Sequence, residues 1–402
     1  MAKYLPYRVL TQIPSNIWIL GFVSMLMDIS SEMIHSLLPL FLVTVLGTST
    51  VTIGLIEGAA EATALIVKVF SGVLSDYLGK RKEIVLFGYS LSALTKPLFA
   101  VASSISMVIT ARIIDRLGKG IRGAPRDALI ADFAPSHLRG ASFGLRQSLD
   151  TVGAVLGPLL AFFLMLLFVN NFRLVFAFAI IPGLIAVLLI VAGIKEPQSS
   201  HENKAVNPLS VHNMKQLPLS YWCVCGIGAV ITLARFSEAF LVLRAMQGGM
   251  SLALVPLVLV VMNVVYAFTA YPLGKMADHT AHRNLLVFGL ITLIVADLIL
   301  ALSSHWGYVF IGVCLWGIHM GSTQGLLAAM VADNSPAELR GTAFGLFNLL
   351  SGIALLLAST IAGFLWEYLG ASFTFYTGAL FSSLSLTGLF LWNPAKNKMK
   401  HI

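Results

Sequence analysis

Apolar runs long enough to cross a bilayer recur along this chain from end to end. A run of roughly 18 or more such residues reads as a membrane-spanning helix. The runs fall at 17–46, 50–75, 84–104, 105–130, 139–168, 173–194, 218–246, 250–275, 284–304, 306–331, 339–366 and 371–392. They are continuous, not ten-residue alternations, so a β-barrel is excluded. The expected fold is all-α and integral to the membrane, with twelve transmembrane helices. Composition agrees: 11% of the 402 residues are charged and 57% are hydrophobic. An ordinary soluble domain carries about a quarter charged residues.

The net charge of +8 points to topology and not to nucleic acid. Alternating connections divide Lys and Arg very unequally. One side holds the tails, Lys80–Lys82, Arg126, Arg139, Lys195, Lys204, Lys215, Lys275, Arg283 and Arg340; the other holds only Arg173 and Arg244. The positive-inside rule then places both termini in the cytoplasm, which requires an even number of spans. No cleavable signal is expected, because the first run is too long and contains Asp28, Glu32 and His35. Cys223, Cys225 and Cys314 all fall in spans, where packing is expected and a disulfide framework is not.

The polar stretch 195–217 divides the chain into six spans and six spans. The expected domains are 1–194, a cytoplasmic linker 195–217, and 218–402. The halves repeat each other. Residues 132–145 read DFAPSHLRGASFGL and residues 333–346 read DNSPAELRGTAFGL, a spacing of 201. Gly72-x3-Asp76-x4-Arg81 recurs as Gly274-x3-Asp278-x4-Arg283 at a spacing of 202. Parallel repeats about an axis normal to the membrane are a transporter architecture.

The loop after the second span carries Gly72, Asp76, Gly79, Arg81 and Lys82, beside Lys80. This resembles the signature loop of the major facilitator superfamily, and the resemblance covers the whole chain. It implies the two-bundle fold of that family and a cytoplasmic gate in which this loop helps latch the halves. Asp278 and Arg283 are its second-half counterparts. An Asp at a helix end and a basic cluster can pair in one conformation and separate in the other. On the fourth span, Arg116-x2-Lys119-Gly120 is similar to the family's Arg-x2-Gln-Gly pattern. On the fifth, Gly153-x3-Gly157-Pro158 resembles the start of the motif of drug:proton antiporters, with Ala161 and Phe162 in place of its final glycines.

Ionisable residues inside spans are costly, roughly 2.5–3.5 kcal/mol each on insertion scales, and mark function. Asp28, Glu32 and His35 share one face of the first helix, and Glu57, Glu61 and Lys68 share one face of the second. Arg112, Arg116, Lys119 and Arg126 form a stripe down the fourth, and Arg146 and Asp150 stack on the fifth. The family fold implies that spans one, two, four and five surround the central cavity. The acidic faces then meet the basic stripe. Two acids on one face do not both ionise cheaply, so one of each pair is expected to exchange a proton near neutral pH. Proton coupling is assigned to Asp28, Glu32, Glu57, Glu61, Arg116 and Asp150, with Glu32 and Glu61 as first choices. The resemblance gives Arg116 the same role. Arg112, Arg116, Lys119, Arg235 and Glu238 are the expected substrate contacts, since guanidinium suits carboxylate or phosphate. Ser237-Glu238 on the seventh span repeats Ser31-Glu32. Asn263, Tyr266, Trp316, His319, Gln324 and Asn348 are secondary cavity candidates. Lys96 and Asp297 fall on spans three and nine, peripheral in the family fold, and are set aside.

No nucleophile–base constellation, phosphate loop or convincing metal-ligand spacing is present; Asp278-His279-x2-His282 occupies a loop that repeats the Asp76 loop. No cofactor, metal or ATP use is expected. The expected partners are a small solute, with anions suited to the basic stripe, protons and the lipid bilayer, and the protein is expected to be a monomer. The function expected is proton-driven secondary transport by alternating access in a bacterial inner membrane. Gly157-Pro158 points to export by antiport. The basic stripe points to the alternative, import of an organic anion by symport. A non-transporting sensor on the same scaffold is the remaining alternative.

Overall fold

The computed structural model describes residues 11–196, 214–277, 280, 282–336 and 339–391. Among these, every regular element is helical. The helices are α1 (Ser15–His35), α2 (Leu38–Thr44), α3 (Thr50–Leu78), α4 (Arg81–Ala100), α5 (Ile105–Phe133), α6 (Arg139–Leu167), α7 (Phe172–Phe178) and α8 (Ile180–Gly193). After the linker come α9 (Leu219–Ala234), α10 (Ala239–Gln247), α11 (Leu257–Ala277), α12 (His282–Leu302), α13 (Trp306–Asp333), α14 (Arg340–Leu369) and α15 (Ala371–Leu391). Paired as α1–α2, α7–α8 and α9–α10, they supply the twelve expected spans.

Eight of these spans are long and apolar enough to cross a membrane on composition alone. The four that fall short are α3, α4, α5 and α13, and among the described residues they carry most of the buried Asp, Glu, Lys and Arg: Glu57, Lys96, Arg112, Asp115, Arg116 and Arg122. Large apolar side chains face outward: Leu94 is 68% exposed, Phe268 77% and Tyr271 78%. A water-soluble monomer does not present such a surface, and lipid covers it without cost.

Three spans expected to be continuous are interrupted. The first breaks between His35 and Leu38, the sixth at Ala179, and the seventh between Ala234 and Ala239. At the repeat spacing of 201, the first and seventh breaks coincide. This corrects the matching of Ser31-Glu32 with Ser237-Glu238. The first pair lies inside α1, whereas the second lies in the break itself.

Packing divides the chain into two compact units, residues 1–38 with 66–206 and residues 39–65 with 207–402. In the first unit, small residues let helix backbones meet. A Cβ at Gly88 of α4 would come within 2.8 Å of the Gly118 carbonyl of α5, and one at Gly118 within 2.6 Å of Gly88 O. This is how the Gly118-Lys119-Gly120 segment is used. Arg173 donates to Ala102 O at 3.1 Å, just past the end of α4. In the second unit, Gly54 and Gly58 of α3 abut Ser359 and Leu356 of α14. The Glu367 carboxylate of α14 accepts from Thr50 N at 2.9 Å and Thr50 Oγ1 at 2.6 Å, capping the start of α3. Arg244 of α10 donates to Leu300 O, Ala301 O and Ser303 O at 2.9, 3.1 and 2.7 Å. Arg173 and Arg244, the two bases isolated by the charge count, thus satisfy carbonyls that helix ends leave open.

Candidate functional site

The acidic face of α1 is brought to α6 by glycines. A Cβ at Gly153 would lie 2.9 Å from Asp28 Cβ, and one at Gly157 would lie 2.6 Å from Glu32 Cβ. The four-residue spacing of the glycines matches the four-residue spacing of the acids. The Gly153-x3-Gly157 motif is therefore the seat of Asp28 and Glu32. Glu32 is ion-paired with His35 Nδ1 at 3.2 Å, and Lys119 and Arg116 act on it electrostatically. Asp28 feels Asp150, Lys119, Arg122 and Arg126. The acids of α1 and the bases of α5 are therefore neighbours within one unit.

Along α5 the bases differ in exposure. Arg112 and Arg116 are buried, whereas Lys119 is exposed and makes no hydrogen bond or ion pair among the described residues. Arg122 sits 4.5 Å over the Tyr89 ring and donates to Ser92 Oγ at 2.5 Å. Arg126 donates to Ser24 Oγ at 2.5 Å. Asp150 pairs with Arg146 at 2.8 Å. Asp127 was missed by sequence reasoning. It is 3.3 Å from Arg126 and 3.9 Å from both Lys68 and Arg146, and so sits among three cations. Its signal was weak, because it lies in the last turns of a helix beside a base of its own.

Lys96, set aside as peripheral, is buried inside the first unit. Its ammonium is 1% exposed, 2.8 Å from Asp115 Oδ1 and 3.0 Å from Ser31 Oγ. It ties α4 to α5 and α1.

In the second unit, Glu57 is buried and Glu61 half-buried on α3. Arg235 and Glu238 flank the break of the seventh span, where Arg235 interacts with Glu238 and Tyr266. Ser237 N donates to Ser359 Oγ at 3.1 Å. His319 is fully buried, with Nδ1 2.8 Å from Gly289 O. Trp316 is buried against the Phe236 ring, centroids 5.4 Å apart. Asn263, Tyr266 and Asn348 are half-buried, and Gln324 is exposed.

At the signature loop, Gly79 closes α3 with φ +64°, a left-handed conformation that favours glycine. Gly72 packs on Ala124 of α5. Arg81 pairs with Asp76 at 3.1 Å and, closely, with Asp132. Glu196 accepts from the backbone N–H of Arg81 at 2.8 Å and of Lys82 at 3.0 Å, favourably placed at the positive end of α4. Asp132 opens the repeated DFAPSHLRG segment, a signal available in the sequence. Glu196 gave none. In the second unit, His282 lies 3.8 Å from Asp333, the repeat mate of Asp132. Arg283 lies 5.4 Å over the Phe390 ring. Asp278 and His279 lie outside the described residues.

The family model for the Major Facilitator Superfamily matches residues 20–247 and 240–401. The chain belongs to this superfamily. It is 33% identical over 380 residues to an uncharacterised MFS-type transporter of Methanocaldococcus jannaschii, spanning 93% of this chain and 94% of that one. It is 29% identical over 185 residues to the quinolone resistance protein NorA of Staphylococcus aureus, 46% of each chain. Among solved structures, the fold matches a bacterial homologue of the human lysosomal transporter Spinster with a TM-score of 0.76 at 15% identity, covering 98% of this chain and 100% of that one. The protein is thus an integral membrane transporter of the major facilitator fold.

Proposed function

We propose that this transporter is driven by protons and exports a small organic solute by antiport. The observation that carries the reading is the seat of Asp28 and Glu32 on Gly153 and Gly157, facing Lys119 and Arg116. A carboxylate near a base stays ionised, and one that loses that neighbour in an apolar interior takes a proton. A helix shift of an ångström or two changes which state is favoured, so protonation and conformation are linked. Arg116 is the switch in this scheme. Glu57 and Glu61 supply further carboxyls, and Asp150 is held as the partner of Arg146. The likeness to a quinolone resistance protein supports export, since resistance is what removal of such a compound from the cell would produce.

One observation favours a second reading, import of an organic anion by proton symport. Lys119 is the exposed cation of the α5 stripe. An anionic group of the solute would find it beside Arg112 and Arg116 on the same helix; Arg235 and Glu238 are the substrate candidates of the second unit. In both readings the protein is not an enzyme and works as a monomer with both termini on the cytoplasmic side of a bacterial inner membrane. The Asp76, Arg81, Lys82 and Gly79 loop, with Gly72 behind it, is the gate element of the first unit, and Arg283 belongs to the second unit's copy.

The test uses proteoliposomes holding a pH dye, an imposed proton gradient, and organic anions and lipophilic cations added in turn. A compound that moves protons with wild type and not with Glu61→Gln supports coupled transport, and the sign of the pH change separates antiport from symport. A panel in which compounds bind tightly but none moves a proton overturns the reading in favour of a sensor.

A further inference from the structure

The C-terminal unit contains a buried carboxyl that the scheme above does not use. Asp297 of α12 has no solvent exposure, and neither of its carboxyl oxygens has a hydrogen-bond partner among the described residues. Such surroundings strongly disfavour an isolated ionised carboxylate, so the group neutralises instead. Among the described residues, no charged or titratable group of α11, α13 or α15 acts on Asp297 to offset its burial. Arg235, Glu238, Tyr266 and His319, four other ionisable groups of this unit, act on one another instead.

The repeat makes the absence of a partner informative. At the spacing of 201, Asp297 is the mate of Lys96, and Trp316 is the mate of Asp115. Where the first unit places an ion pair between its third and fourth spans, the second unit keeps an acid on one helix and has an aromatic ring on the other. A scaffold needing only packing at this position has no use for a carboxyl.

What covers Asp297 is also specific. The point that a Cβ on Gly378 would occupy is 2.6 Å from Asp297 Oδ2 and 3.1 Å from the edge of the Phe236 ring. Glycine at 378 is what leaves room for the carboxyl. Phe236 belongs to the break in the seventh span, beside Arg235. Phe236 and Gly378 also line a small, mostly apolar crevice whose wall includes Thr374 and Thr377.

We propose that Asp297 is a proton-binding site of the C-terminal unit, loaded while the Phe236 ring covers it and released when the Arg235–Glu238 break moves that ring away. On release, the carboxyl O–H bond breaks, its electron pair stays on the carboxylate, and the proton passes to water entering the crevice beside Gly378. The role of this proton in transport rests on the proton-coupled reading above, but its binding does not.

Infrared difference spectroscopy of the full-length protein in nanodiscs tests binding alone. Wild type should show a protonated-carboxyl C=O band at neutral pH that Asp297→Asn removes. Phe236→Ala should lower the pH at which that band disappears by at least about one unit, a tenfold change in proton affinity. Phe236→Leu should lower it less and serves if Phe236→Ala does not fold. Wild type without an Asp297 band at neutral pH overturns the proposal, as does a band unmoved in the folded Phe236 variant. Proton flux in proteoliposomes is read separately: solute movement without protons would refute coupled transport while leaving the infrared result intact.

Discussion

The same layer of the two repeats is built on opposite terms. In the first unit, Lys96 and Asp115 meet at 2.8 Å, both nearly inaccessible, with Ser31 completing the ammonium's bonds. In the second, Asp297 has no such partner among the described residues, and Gly378 leaves room for it near the Phe236 ring. Helix contacts around the two sites correspond: Gly88 abuts Gly118, and the carbonyl of its mate Gly289 accepts from Nδ1 of His319, the mate of Gly118. The backbone frame is therefore repeated while the charge is not. A paired buried charge holds three helices together and is costly to unpair. A carboxyl without a partner is held neutral and is free to be used for protons.

The sharpest way to break this comparison is to unpair the first site. Lys96→Met removes the direct partner of the Asp115 carboxylate, leaving it the fields of Arg116 and Arg112, and should cost up to about 3–5 kcal/mol, read as a large fall in thermal midpoint in detergent. The double variant Lys96→Met with Asp115→Leu should recover most of the loss. A single variant as stable as wild type would mean that the pair is not structural. Next in size is Gly157→Val. It forces side-chain atoms against Glu32 Cβ and Ile29 O and should cost about 1–3 kcal/mol together with transport. Gly144→Ala on the same helix meets nothing within 4 Å and is the control. Asp297→Asn should lower the thermal midpoint far less than Lys96→Met, because it replaces one neutral group with another of similar shape. A collapse of the fold there would show that Asp297 is held by contacts of its own. Smallest is Lys119→Gln, expected to leave stability unchanged. If the solute is anionic, its apparent affinity should fall roughly tenfold, equivalent to about 1.4 kcal/mol, and transport assays across an anion series would read it.

Much of the frame was legible in the sequence because it rests on spacing alone. Run lengths gave twelve spans, and two repeated segments gave two halves. The i, i+4 acids and the Gly-x3-Gly motif marked faces, and those faces do meet, Asp28 on Gly153 and Glu32 on Gly157. Spacing says which side chains share a face but not what the face looks at. Lys96 and Asp115 are on different helices, so their pairing needed the crossing of α4 and α5 at Gly88 and Gly118. Glu196 reaches the start of α4 from beyond α8, and nothing local to either segment announces that. The break after His35 had a signal, since Pro39 near the start of α2 cannot donate to the His35 carbonyl. The seventh-span break was hidden, because Arg235–Glu238 contains neither glycine nor proline. The interruption in the seventh span is supported by tertiary bonds such as Ser237 N to Ser359 Oγ. Packing also groups residues 39–65 with the second unit through the contacts of Gly54 and Gly58 on α14. That grouping crosses the sequence halves.

The most direct test of the account is the proton-to-solute ratio in proteoliposomes, measured for wild type, Asp297→Asn and the Lys96→Met/Asp115→Leu double variant. The account predicts that the double variant keeps the wild-type ratio, because its charges serve the scaffold. It predicts a lower ratio for Asp297→Asn, because that variant binds one proton fewer. A ratio that falls in the double variant and holds in Asp297→Asn would contradict it.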